Sequence, residues 1–175
     1  MTSPERVVVV GASGFGRECL DVLEAMASAG PPIEVAGVVD DGPSGLNLDR
    51  LAARGVSHLG TVEEWLANEA LPRRYVLGVG SPEVRRRLVT RLEDAQARPL
   101  TVIHPSATFG ARCELGEGVV VCAGVALSTN VHLGRHVHLN PNATIGHDAV
   151  LGDFVSVNPG AVVSGEVSVG KGTLV

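Results

Sequence analysis

Aromatic side chains make up only 3% of the 175 residues. Any core must therefore take its bulk from Val, Leu, Ile and Ala, as in thin layers where backbones approach closely. Cysteine is also scarce. Cys19, Cys113 and Cys122 are odd in number and irregularly spaced, which argues against a disulfide frame or a zinc site and fits reduced thiols in a cytoplasm. No apolar run approaches the roughly 20 residues that a bilayer-spanning helix requires. Met1 to Arg6 runs straight into a strand, without the charged start, apolar stretch and cleavage site of a signal peptide. The expectation is a cytoplasmic protein with no membrane partner. A basic stripe is missing too: the formal charge is −5, which argues against a nucleic-acid partner. Arg85, Arg86, Arg87 and Arg91 read as the wet face of one helix. What the chain does have is 45% hydrophobic and 19% charged residues, enough apolar surface for one large domain or two small ones.

The first part alternates strand and helix, which predicts a small Rossmann-like parallel sheet over residues 1–97. Val7 to Val10 is a short all-apolar run, as a buried parallel strand should be. Gly11 to Gly16 reads as a loop, Arg17 to Ala29 as a helix, Ile33 to Val39 as a second strand ending at Asp40 and Asp41. Thr61 to Asn68 is predicted helical, with Thr61 as N-cap and Glu64 completing a capping box. Tyr75 to Val79 is another strand. Ser81 caps a helix that has Pro82 at its first position and runs to about Gln96. Pro99 marks the boundary, with residues 98–102 as a linker.

From Ile103 the texture changes. Every sixth residue from there (Phe109, Leu115, Val121, Leu127 and onward to Val175) is bulky and apolar, thirteen positions in all. At this composition such a run has a chance probability on the order of one in five thousand, six frames allowed. The fifth position of each hexad is small or β-branched. An internal repeat of this period predicts a β-helix over residues 103–175: one hexad supplies a short strand and a turn, and three hexads close a triangular coil. Stacking pairs each strand with the next coil and buries what one repeat cannot. Twelve full hexads make four coils, a prism roughly 19 Å tall at the ordinary strand spacing. Val175 opens a thirteenth hexad with no cap after it. An open sheet edge invites association, so the expectation is a shortened chain or one completed by a partner.

Several residues carry chemistry. Gly11-Ala12-Ser13-Gly14-Phe15-Gly16 follows a strand and opens a helix, where backbone N–H groups can cradle a diphosphate. The order is GxxGxG, not the GxGxxG of dinucleotide enzymes, and a tight turn without ligand is the plainer alternative. Asp40 and Asp41 end the neighbouring strand, where carboxylates can accept from a ribose hydroxyl or a base N–H; Asp-Asp-Gly-Pro is equally a common turn. Gly78-Val79-Gly80 allows close ligand approach or simply turns the chain. Of five histidines in the repeats, His132, His136 and His138 could ligate a metal, as in the γ-class carbonic anhydrases. Their frame positions differ, so they read instead as solvated turn residues, with no metal expected. His147 sits on a turn in Ile145-Gly146-His147-Asp148. Imidazole is the natural general base near neutral pH, and Asp148 could fix its tautomer. A surface His-Asp pair is the alternative.

The stretches VVVVGASGFGRE, VVDD, LGVGSPEVR, IHPSA and LNPNATIGHDAVLGDF, spread over residues 7–158, resemble the sugar O- and N-acyltransferases of the sialic acid O-acetyltransferase type. That family includes bacterial enzymes that acetylate UDP-linked 4-amino-sugars for glycan assembly. The resemblance implies a left-handed β-helix, against the usual right-handed crossover rule. It also implies acetyl-CoA as donor, a UDP-sugar as favoured acceptor, and a homotrimer with active sites between adjacent prisms. Ser13, Gly14 and Phe15 would meet the nucleotide-sugar, with Asp40, Asp41 and Gly80 around its base and ribose and Asn140 near the acceptor. His147 would be the base and Asp148 the acid that raises its basicity. Gly165 would offer a backbone N–H to the thioester carbonyl. Ser156 would lie on the acetyl-CoA side, where the amino-sugar enzyme has a histidine. The family usually continues for several more hexads that hold CoA, so a non-catalytic nucleotide-sugar-binding or assembly module is the alternative. A metal-dependent hydratase is a third reading.

Overall fold

A computed structural model describes residues 3–175. Four parallel strands form the first sheet: β1 (Glu5–Val10), β2 (Ile33–Val39), β3 (Arg74–Leu77) and β4 (Arg98–Pro99), in the order β2-β1-β3-β4. β1 is central because Val7 to Val10 have no polar face to offer solvent; all four are 0–1% exposed. Helices α1 (Gly14–Ala29), α2 (Gly45–Ala53), α3 (Val62–Ala67) and α4 (Pro82–Asp94) connect them. The capping box of α3 forms as expected: Thr61 Oγ1 accepts from Glu64 N, and the Glu64 carboxylate accepts from Thr61 N. α4 starts on Ser81 with Pro82 in its first turn.

Some boundaries differ from the sequence reading. α1 begins at Gly14, inside the glycine loop, because Ser13 already has N-cap geometry. α2 was not anticipated; its local cue is Ser44, whose hydroxyl accepts from Asn47 N. β3 stops at Leu77 because Gly78 turns against α1: a Cβ on Gly78 would lie 2.5 Å from Gly16 Cα. α4 stops at Asp94, just before Gln96 takes a left-handed φ of 55°. Arg98–Pro99, expected in a linker, pairs with β3 as the sheet's edge.

The remaining strands are two residues long and build a left-handed parallel β-helix. The first face carries Val102–Ile103, Val120–Val121, His138–Leu139 and Ser156–Val157. The second carries Thr108–Phe109, Ala126–Leu127, Thr144–Ile145 and Val162–Val163, and the third Glu114–Leu115, His132–Leu133, Val150–Leu151 and Ser168–Val169. Each strand pairs with the strand 18 residues on, so three hexads make one coil as the period requires. Frame residues from Val121 to Val163 are buried inside the prism. Phe109, in the first coil, is 39% exposed because nothing stacks beneath it.

One residue per hexad, from Arg112 to Gly172, has left-handed backbone with φ between 54° and 69°. That residue makes the corner. The corner holding Gly118, His136, Phe154 and Gly172 faces the first domain, where Tyr75, His136 and Phe154 form a ring stack and Trp65 meets Tyr75 edge-on. The outward residues of the first face, Val102, Val120, His138 and Ser156, are at most 3% exposed, buried beneath α1 and β3. Phe15 stacks on His138 at 4.5 Å, and Arg135 pairs with Glu93 across the boundary.

Two expectations are corrected at this interface. Arg85 is not on a wet face: it is fully buried, with Nη1 donating to the carbonyls of Val79 (3.1 Å) and Gly80 (2.8 Å) and Nη2 to the Phe154 carbonyl (2.7 Å) and Ser156 Oγ (2.9 Å). Its helical spacing to Val89 and Leu92, both buried, puts it on the inner face. Nor are His136 and His138 solvated; their rings are buried without hydrogen-bond partners, while His132 is exposed.

Burial pushes the His136 imidazole down to about 4, aided by Arg135 and Arg85 and opposed by Glu93 and Asp153. Burial, with Arg85 and His136 nearby, holds His138 well below the usual histidine range, against the Leu77 carbonyl. Both rings stay neutral when folded and take up protons once unfolded. Stability is therefore full above pH 6.5 and declines as pH falls towards about 4, by about 3 kcal/mol from His136 alone. Denaturant midpoints will be lower at pH 5.0 than at pH 7.5. Valine in place of His138, the residue one rung below at Val120, will reduce that difference; an unchanged midpoint across this range would contradict the neutral-ring assignment.

Candidate active site

The glycine loop forms a cavity of about 210 Å³ with the ends of β1 and β2. Gly11, Ser13, Asp40 and Asp41 line one side; Val79, Val84 and Leu88 supply an apolar wall. The glycines divide into two kinds. Gly11 has φ +112°, and a Cβ on Gly16 would lie 1.8 Å from the Gly11 carbonyl oxygen, so both are demanded by the turn. Gly14 and Gly80 face open space. Ser13 gives α1 no side-chain cap, so the first-turn N–H groups and the helix dipole are available to an anion.

Both carboxylates have structural partners. Asp40 Oδ2 accepts from Ala12 N at 2.8 Å and Oδ1 from Gly42 N at 2.9 Å, which ties the glycine loop to β2. Asp41 Oδ1 accepts from Val62 N at 2.8 Å and Oδ2 from Arg91 at 2.9 Å. Although partial burial opposes it, these bonds and the Arg91 charge hold the Asp41 carboxyl below the usual carboxylate range. A carboxylate has about four lone-pair sites, so each retains acceptor capacity toward the cavity.

His147 and Asp148 occupy the prism corner between the second and third faces. His147 Nδ1 lies 2.7 Å from Asp148 Oδ2. Because a carboxylate only accepts, the neutral ring in this arrangement carries its proton on Nδ1 and its lone pair on Nε2. One coil on, Gly165 passes directly beneath the ring: a Cβ there would lie 2.5 Å from Nε2. The corner's hydrogen-bond ladder takes its donors from Asn130, Asp148 and Glu166, leaving the Gly165 N–H outside it. The imidazole and the Gly165 backbone thus lie directly against each other. Asp148 Oδ1 accepts from Asn130 Nδ2 at 3.0 Å, a partner that reading along the sequence missed. The Asn130 amide, then the imidazole, hold the Asp148 carboxyl below its ordinary range.

Asn140 lies on a different corner, next to the first face, with its amide donating to the Val157 carbonyl at 2.7 Å. Ser156 is buried between the domains on Arg85. The prism corner with His147 is opposite the face on which the first domain docks. Within one chain, Ser13, Asp40 and Asp41 thus form one cluster and His147, Asp148 and Gly165 a second, while the Phe15 ring packs on His138 at the domain boundary. Among the described residues no three His, Cys, Asp or Glu side chains converge as metal ligands, and no helix is long and apolar enough to cross a membrane. All three cysteines are free thiols.

Two family models match: the PglD N-terminal domain over residues 6–92 and the bacterial transferase hexapeptide (six repeats) over residues 130–165. These define a hexapeptide transferase with a PglD-type front domain. The GDP-perosamine N-acetyltransferase of Escherichia coli O157:H7 is 27% identical over 161 residues, covering 91% of this chain and 70% of that protein. A crystal structure of a histidine-to-asparagine mutant of perosamine N-acetyltransferase from Caulobacter crescentus, in complex with CoA and GDP-perosamine, is 28% identical with a TM-score of 0.80, covering 98% of this chain and 77% of that one. WeeI from Acinetobacter baumannii AYE is 27% identical, also at a TM-score of 0.80, with 94% and 74% covered. The chain thus joins a PglD-type N-terminal domain to bacterial transferase hexapeptide repeats, and its sugar N-acetyltransferase relatives are similar to it over most of its length.

Proposed function

We propose that this protein transfers an acetyl group from acetyl-CoA to the amine of a nucleotide-linked amino-sugar. The observation that carries the reading is the His147–Asp148 pair, with Nδ1 2.7 Å from the carboxylate and Nε2 against the Gly165 backbone. The first domain, through Pro99, holds the nucleotide-sugar; Leu100 and Thr101 link it to the prism, which carries the transfer from Val102 onward. Diphosphate oxygens meet the N-terminus of α1 at Ser13, Gly14 and Phe15; base and ribose occupy the cavity by Asp40, Asp41 and Gly80. His147 takes a proton from the amine as its nitrogen attacks the thioester carbonyl carbon. The Gly165 N–H donates to the developing oxyanion. Collapse of the tetrahedral adduct breaks the C–S bond and releases CoA thiolate, which the imidazolium can reprotonate. Attack is direct, with no acyl-enzyme.

The opposed positions of the two clusters support a homotrimer. A prism corner facing away from its own nucleotide cavity can meet only the cavity of a neighbouring copy, with that copy's Asn140 beside it. The buried Ser156 is assigned to holding Arg85 and not to touching CoA. The relatives named for GDP-perosamine make a guanosine nucleotide the first acceptor to try, ahead of the uridine form suggested by the sequence motifs. Incubating the protein with acetyl-CoA and GDP- or UDP-linked 4-amino-sugars should add one acetyl group to an acceptor, read by mass spectrometry. Absence of acetylation across both nucleotide series would refute the proposal.

A further inference from the structure

The catalytic corner is a column of four left-handed turn residues, one per coil: Arg112, Asn130, Asp148 and Glu166. Backbone bonds lock the rungs together, from Asn130 N to the Ala111 carbonyl (2.9 Å), Asp148 N to Thr129 (3.0 Å) and Glu166 N to His147 (2.8 Å). With the backbones fixed one rung apart, the Asn130 amide falls within reach of one Asp148 oxygen while the other receives His147 Nδ1. Each carboxylate oxygen thereby has one donor, which defines the plane of the carboxylate. Asp148 is 46% exposed on its side chain; without the amide, water competes for that oxygen and the carboxylate can rotate off the imidazole.

We propose that Asn130 is a positioning residue of the acyl-transfer site, orienting Asp148 and through it the tautomer and aim of His147. The proposal rests on the reading of His147 as general base. Asparagine is also among the residues that best tolerate a left-handed turn, so the backbone alone could account for it. Glycine separates the two explanations, because it accepts φ +56° freely and lacks only the amide.

Asn130→Gly is expected to keep the wild-type melting temperature and both KM values, and to lower kcat about tenfold, the usual effect of removing a hydrogen-bonding partner behind a site residue. In protein labelled with ¹⁵N-histidine, the His147 ring should move from the Nδ1–H tautomer toward the mixture of a free imidazole. In a His147→Ala background the same substitution should have no further effect on kcat, because the amide acts through the imidazole. A folded Asn130→Gly protein with wild-type kcat and unchanged ring nitrogen shifts overturns the proposal. So does a tenfold loss that persists without His147. If His147→Ala alone leaves turnover intact, the general-base reading fails, while the nitrogen shifts still decide whether Asn130 orients the ring.

Discussion

Replacing His147 with Ala lowers turnover by ~10²–10⁴-fold, the range that a positioned general base contributes, and leaves the KM for both substrates nearly unchanged. The two halves of this expectation come from different geometry. The nucleotide cavity, with Asp40, Asp41 and the glycine loop, lies on the first domain and is untouched by a change at the far corner of the prism. His147 and the Gly165 backbone against its ring lie together on that corner. Truncation to Ala removes the proton acceptor but keeps the Gly165 backbone, so the oxyanion donor survives and residual transfer stays above the uncatalysed rate. The measurement is steady-state release of CoA thiol against pH in wild type and variant. A base that must be unprotonated to act gives the wild type an acidic limb, and the variant's profile should lose it. Equal turnover in the two proteins would remove His147 from the mechanism.

Much of the architecture was legible because the β-helix is nearly one-dimensional. A coil needs an inward apolar residue every sixth position, and Val121 to Val163 meet that need with no tertiary information. The central strand was equally plain: only a site buried on both faces tolerates Val7 to Val10 in succession. Contacts between coils or between domains were not legible by the same route. Asn130 and Asp148 are 18 residues apart, adjacent only once the coil length is known. The left-handed corner position was hidden because Arg112, His136, Phe154 and Glu166 share it with the glycines and asparagines that usually mark such a turn. His136 and His138 looked like turn residues open to water, and it is docking of the first domain that buries them. Arg85 carried a clue in its spacing to Val89 and Leu92, overridden by the exposed Arg86 and Arg87 beside it.

Arg85→Ala should destabilise the protein by at least ~3 kcal/mol, since each buried acceptor left without its donor costs about 1–3 kcal/mol. Five acceptors converge on this one guanidinium: the carbonyls of Val79, Gly80, Phe154 and Val155 and the hydroxyl of Ser156. Two belong to the first domain and three to the prism, so the side chain is a clamp between them. No carboxylate faces it. Its charge is held by oriented dipoles alone, and burial pushes the guanidinium down to about 10, still protonated at neutral pH. Removing the cation relieves that desolvation and offsets part of the loss, which is why the expected figure stays near the lower sum. At this chain length ~3 kcal/mol corresponds to a fall of about 6–12 °C in melting temperature. Calorimetry should also resolve two transitions where the wild type has one, because the ring stack of Tyr75, His136 and Phe154 cannot hold the domains together without the polar lock. Methionine at position 85 tests the division of labour. It restores the apolar stem but no donor, so it should recover little if hydrogen bonds dominate and most of the stability if packing does. An Arg85→Ala protein melting in a single step at the wild-type temperature would show that the docked face is held by apolar contact alone.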